Sequence, residues 1–257
     1  MKHIKKVVSI IFIIALLTAG FFILRWYTTK YDEEKTVDSI IKNMEIKEMP
    51  KEQEEIIEIN ANLANVNQTL IEVDLSKLKE KNEEVKGWIQ IPGTNLSYPF
   101  VQSTDNHYYL THSLDKKVTT SGCLFADYNN KFELTDKNFI LYDHDKETTK
   151  TTELLGDILN NGWLNNSKNH IIKTSTDGIN GLWQVFSIYK IKDTRDYLKT
   201  DFFSRDEHQE YINLITNRSL YNFNSKPTTN DKLITISTNN NEDERLVIHG
   251  KLIKKTK

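Results

Sequence analysis

The chain has 257 residues, a formal net charge of −2 from 34 Lys and Arg against 36 Asp and Glu, and 38% hydrophobic residues. So balanced a charge excludes the broad basic face of a nucleic-acid binder, and no DNA or RNA partner is expected. A single cysteine, Cys123, excludes an internal disulfide, and four Pro with nine Gly, no repeat and no low-complexity run argue against extensive disorder.

The first predicted element is an anchor. Val7 to Leu24, VVSIIFIIALLTAGFFIL, is an uncharged apolar run. As a helix of about eighteen residues it would span roughly 27 Å, close to the ~30 Å core of a bilayer. Lys2, Lys5 and Lys6 precede it, so the positive-inside rule places residues 1–6 in the cytoplasm and everything after Arg25 outside. Trp26 and Tyr27 suit the outer interface. Residues 7–24 are therefore expected to be a single-pass transmembrane signal anchor. The alternative is a cleaved secretory signal, weakly supported by Thr18-Ala19-Gly20, and on either reading the bulk of the protein is exported.

Residues 25–74 are rich in Glu, Lys, Ile and Asn. Ile40, Ile41 and Met44, then Ile56, Ile57 and Leu63, recur at roughly helical spacing, which predicts a helical stalk broken near Pro50. Its charged faces read as a solvated spacer more readily than as a partner surface. Asp74 or Ser76 can then cap a short helix, LSKLKEKNEEV, that stops before Gly87. One globular domain is expected over residues 75–257, since the length outside the anchor is too small for two ordinary domains.

After Gly87 the texture changes to short apolar or alternating runs between turn residues: WIQIPG, LSYPFVQ, GCLFADY, NFILYDH, HIIKTS, LWQVFSIYKI, KLITIS and RLVIHGKLI. Their β-branched and aromatic content predicts strands. Two helical patches interrupt them, around Glu153 to Leu159 and from Arg205 to Ile215, the second with Tyr211, Ile212, Leu214 and Ile215 on its apolar face. The pattern predicts a mostly β domain whose strands form a closed or nearly closed barrel.

Several of these stretches, taken together and in order, resemble class B sortases from about Leu75 to Leu252. They are GWIQIPGTNLSYPFVQSTDNHYYLTHS, SGCLFADYNN, NFILYDH, DYLKTDF with the helix after it and SLY, and the terminal LITIST and RLVIHGKLI. The resemblance implies a sortase-type closed eight-stranded β-barrel with inserted helices and N-terminal helices, preceded by one transmembrane helix in a Gram-positive-type envelope. It implies a cysteine transpeptidase that recognises an N-P-x-T type motif near the C-terminus of an exported protein. An acyl-enzyme forms at the Thr carbonyl, and an amine of the cell-wall peptide resolves it. The expected partners are sorting-signal-bearing surface proteins and that peptidoglycan amine. No cofactor and no metal are expected; Asp143, His144 and Asp145 are neighbours on a strand, where successive side chains diverge and rarely chelate together.

Such chemistry needs a thiolate, a proton donor for the leaving amine and a fixed donor for the oxyanion. His144 matches the family histidine and Arg245 the arginine; without the resemblance they would read as a surface histidine beside two aspartates and a barrel-edge ion pair. The cysteine position is held by Asn239, whose carboxamide is not a nucleophile that can form the acyl-enzyme. Asp143 stands where the family usually has glycine, and the stretch from Asn239 to Arg245 is shorter than the usual connection. Three departures at one site predict a catalytically impaired member. The alternatives are an active transpeptidase using another nucleophile and a laboratory substitution in an active enzyme. Cys123 is expected to be a small buried hydrophobe. The substrate groove is expected to involve Asn95, Leu96, Tyr197, Leu198, Ser237 and Thr238, with Tyr197 read alternatively as an aromatic anchor for its loop.

Overall fold

A computed structural model describes residues 2–58, 61–119, 122–133, 135–143, 155, 158–192, 194–241 and 244–257, with every side chain among them except those of 2–10, 27–36, 63 and 239–241. The chain divides into two units, Met1–Asn43 and Met44–Lys257. The first is a continuous helix, Lys2–Lys42. Between Ile11 and Trp26 its apolar side chains, among them Ile11, Phe12, Leu16, Leu17, Phe21, Phe22 and Trp26, are all well exposed, on every side of the helix. Among the described residues no helix is long and apolar enough to cross a membrane. The run expected as a span, 7–24, lies partly outside the described side chains.

The second unit is built on strands β1 (Ile46–Glu48), β2 (Glu54–Ile56), β3 (Ile71–Val73), β4 (Val85–Gln90), β5 (Ser97–Val101), β6 (Phe125–Ala126), β7 (Asn138–Asp143), β8 (Ile171–Thr176), β9 (Gly181–Lys192), β10 (Leu233–Asn241) and β11 (Glu244–Thr256). Their order is β10-β7-β6-β5-β4-β8-β9-β11, and β11 pairs back onto β10, so eight strands close a barrel. All eight were predicted as strands. Closure removes the open edges that such a sheet would otherwise expose. β2 extends the far end of β11, and β1 pairs with β3 in a separate ribbon.

Alternation sorts the side chains of the longest strands to two faces. Ile234, Ile236, Leu246 and Ile248 enter the barrel interior with Ile89, Phe100, Leu141 and Trp183. Leu233, Val247, Phe186 and Tyr189 face outward, where the helix Arg205–Asn217 covers them with Tyr211, Ile212 and Ile215. Ser204 starts that helix, its hydroxyl accepting from Glu207 N at 3.1 Å, with Asp206 and Glu207 in the positive first turn. Two register shifts, at His249/Gly250 and Leu252/Lys254, bend β11, allowing one long strand to serve β10, β9 and β2.

Two expectations are corrected. Residues 44–74 are not a helical stalk: past Lys42 they form β1, β2 and β3, and Met49, Ala61, Val66 and Leu70 pack on Ile171, Leu182 and Ile253. The helical spacing came from residues that belong to different short elements. The helix expected over LSKLKEKNEEV is a single turn, Ser76–Lys79, because Val85 is already committed to β4, where it is wholly buried. Asp74 does hold the turn's start, accepting from Ser76 N at 3.0 Å. Most of the patch around 153–159 lies outside the described residues; Leu155 and Ile158 are in the core.

Candidate functional site

Three strand ends meet at one end of the barrel. β10 runs parallel to β7, with Ser237 opposite Tyr142 and Thr238 opposite Asp143. It runs antiparallel to β11, with Thr238 opposite Leu246 and Asn239 opposite Arg245. The backbone therefore brings Asn239 and Arg245 into register one residue beyond Thr238 and Asp143. His144 follows Asp143 in sequence and lies outside the described residues, as does the side chain of Asn239.

Neighbouring residues of β10 serve different faces. Thr238 is fully buried and alternates with Ser237, which belongs with Thr235 to the face beneath the insertion helix. The Ser237 hydroxyl lies 2.9 Å from the Tyr197 hydroxyl. Burial pushes the Tyr197 phenol up, while the hydrogen bond to Ser237 and the Arg245 cation act the other way. Arg245 is half-buried and acts on that phenol electrostatically.

Of the residues expected in a substrate groove, Leu96, Tyr197, Ser237 and Thr238 are buried. Leu96 belongs to the barrel core with Ile89 and Phe100. Asn95 is exposed in the turn between β4 and β5, and Leu198 is half-buried against the outer cluster. Tyr197 thus has the packing of an anchor for its loop, with its hydroxyl spent on Ser237.

Sequence reasoning missed a polar group next to β7. Asp127 is buried and accepts from Tyr142 Oη at 2.7 Å, Asn106 Nδ2 at 2.8 Å and Asn129 N at 2.9 Å. Burial and this carboxylate push the Tyr142 phenol up. It missed His249 as well, fully buried between Tyr189 and Thr235. Burial and the Arg218 charge push that imidazole down to about 3, so it is neutral at any physiological pH. Cys123 is half-buried just before β6. Its thiol is pushed well up by burial, then by the carboxylates of Asp143, Asp115 and Glu84. Among the described residues no group of three or more His, Cys, Asp or Glu could hold a metal ion.

No protein-family model matches the chain. It is 31% identical over 187 residues to Sortase B of Listeria monocytogenes, a match covering 71% of this chain and 75% of that protein. It is 25% identical over 258 residues to Sortase B of Staphylococcus aureus, covering 99% and 98% of the two chains. Among solved structures, sortase B complexed with triglycine matches at a TM-score of 0.62 and 29% identity, over 70% of this chain and 85% of that one. The closed barrel is that of a sortase. The chain belongs to the sortase B family.

Proposed function

We propose that this chain is a membrane-anchored class B sortase-type protein that binds the sorting signals of exported proteins outside the cell membrane without forming an acyl-enzyme. The observation that carries the reading is Asn239, at the position the resemblance gives to the cysteine and in register with Arg245. A carboxamide offers no ionisable nucleophile, and loss of a covalent nucleophile removes most of the rate.

Neither side chain that could replace it is suited to the task. Burial, and after it the charges of Asp143, Asp115 and Glu84, raise the Cys123 thiol, and the thiolate is the nucleophilic form. Ser237 is buried, and its partner is a phenol pushed up by burial, which is not a general base.

Anchoring through residues 7–24 is supported by the all-round apolar exposure of the helix between Ile11 and Trp26. Thr18 also folds its hydroxyl onto the carbonyls of Ile14 and Ala15, satisfying it within the helix. The lysines before the run favour a cytoplasmic N-terminus and an extracellular barrel. The ligand would be an N-P-x-T type peptide. An amine-bearing cell-wall peptide as second partner is supported by the sortase B structure complexed with triglycine.

The test is adduct capture. The full chain in detergent micelles is incubated with N-P-x-T peptides beside an Asn239→Cys variant, and intact mass is read with peptide affinity. Binding by both with an adduct only on the variant is the expected result. An adduct on the native chain would sink the non-catalytic reading and favour a transpeptidase with another nucleophile; no binding by either would sink the groove.

A further inference from the structure

Beneath the helix Arg205–Asn217, a ring of hydrogen bonds, joined at one place by a cation over an aromatic ring, begins and ends on the same loop. Asn138 Nδ2 donates to the Lys199 carbonyl at 2.9 Å and to Tyr211 Oη at 3.0 Å. A carbonyl can only accept, so the orientation of the Asn138 amide is fixed and its oxygen faces Thr235. Thr235 Oγ1 spends its one proton on Asn138 Oδ1 at 2.9 Å. It must therefore accept from His249 Nδ1, also at 2.9 Å, which makes Nδ1 the protonated nitrogen. His249 Nε2 then accepts from Tyr189 Oη at 2.9 Å. Arg218 sits over the Tyr189 ring, 5.8 Å from the centroid, a cation against an aromatic face. It also grips Asp196 with two bonds of 2.7 Å. Asp196 precedes Tyr197, whose carbonyl accepts from Tyr211 Oη at 2.8 Å. The circuit closes on residues 196–199.

Asn138, Thr235 and His249 are fully buried. Each proton of the Asn138 amide and of the Thr235, His249, Tyr189 and Tyr211 side chains has one acceptor, so these hydrogen bonds have a single internally consistent set of directions. Such a network fixes geometry more than it adds stability, because a buried partner left unmatched is costly in any other arrangement. What it fixes is the Tyr197 loop, and Tyr197 reaches Ser237, two residues before Asn239.

We propose that His249 and Thr235 are positioning residues: the ring they complete holds the 194–204 loop against β10 and so sets the wall of the peptide groove beside Asn239. This rests on the peptide-binding reading above. The groove wall is thus held from below by groups that do not touch the peptide.

The test uses the full chain in detergent micelles and a Thr235→Val variant, which keeps the shape and removes the central joint of the ring. Two quantities are read well below the unfolding temperature: amide exchange in residues 194–204 and affinity for an N-P-x-T peptide. The expected result is exchange in that loop at least tenfold faster, unchanged exchange in β4 and β8, and affinity five- to twentyfold weaker. Unchanged loop exchange, or unchanged affinity with a native chain that binds, overturns the proposal. If the native chain binds no peptide, the peptide-binding reading fails on its own account, and the proposal falls with it as a statement about a groove even if the ring orders the loop. Should Thr235→Val not fold, Arg218→Lys keeps the charge and loses the two-pronged grip on Asp196; it is expected to shift both readouts the same way, and no shift in either overturns the proposal.

Discussion

Asn239 and Arg245 are register partners at the mouth of the β10–β11 hairpin, and the pairing shifts immediately beyond them, before Asn241 meets Glu244. The position to which the family resemblance gives the nucleophile and the residue to which it gives the oxyanion's cation are therefore set by one pair of adjacent strands. In an Asn239→Cys background, Arg245→Ala should slow acyl-adduct formation by about 10²- to 10³-fold, the usual cost of losing one oxyanion donor. Single-turnover mass spectrometry reads this directly. A change under threefold would remove Arg245 from the site.

Lys254 and Glu54 form a 2.7 Å ion pair whose side chains are each only 5% exposed. Glu54 also accepts from Leu70 N, and Lys254 donates to the Gln68 carbonyl. Removing one partner of such a pair strands the other charge. Glu54→Ala should cost about 3 kcal/mol in urea unfolding monitored by tryptophan fluorescence. A loss within the ~0.5 kcal/mol of an ordinary surface change would contradict the buried geometry.

Gly87 lies where β4 passes between a ring and a backbone carbonyl. An added Cβ would sit 2.2 Å from Phe100 Cζ and 2.8 Å from the Ser175 carbonyl oxygen. The carbonyl belongs to β8, paired with β4, and cannot retreat without breaking register. Gly87→Ala should therefore destabilise the barrel by about 1–3 kcal/mol. Phe100→Leu in the same chain should recover part of that loss, and failure to recover any would place the clash at the backbone alone.

His249 makes the fold sensitive to mild acid. Its folded value is pushed down to about 3, whereas an unfolded histidine titrates near 6.5. Between those values the unfolded chain binds a proton that the folded chain refuses, so stability is lost as pH falls through this window. One such proton corresponds to about 1.6 kcal/mol between pH 6.5 and 5, since the unfolded histidine is already half protonated at the upper value. His170 and His208, both pushed down first by burial, act in the same direction. Urea unfolding at the two pH values should show His249→Gln losing about 1.6 kcal/mol less than the native chain. Equal losses would mean that the imidazole is not held neutral.

The barrel was legible because its strands are long enough to show their texture. LWQVFSIYKI and RLVIHGKLI were recognised almost end to end as β9 and β11. The 44–74 region was not, because a strand of three residues, such as β1, β2 or β3, carries no readable period, and Ile56 and Ile57 imitate a helical face while standing 53% and 43% exposed. The convergence of Asn239 and Arg245 could be anticipated only through family resemblance, since it depends on a register. The resemblance did not tell contact from support: Leu96 was expected at a groove and is wholly buried in the core. His249 was passed over as one more strand residue. The available signal was parity, for Thr235 and Ser237 share one face of β10 and their partners across the hairpin are His249 and Val247.

The pairing of β2 with the last residues of β11, Glu54 to Thr256 and Ile56 to Lys254, sets where a soluble fragment can begin. A fragment cut at residue 75, the boundary that sequence texture suggests, would keep Lys254 and Lys251 and discard Glu54 and Glu58, which neutralise them. It would also strip Met49, Val66 and Leu70 from the apolar surface of Ile171, Leu182 and Ile253. Such a fragment would present a sticky, positively charged barrel end to its neighbours, whereas one that starts at Met44 carries its own cover.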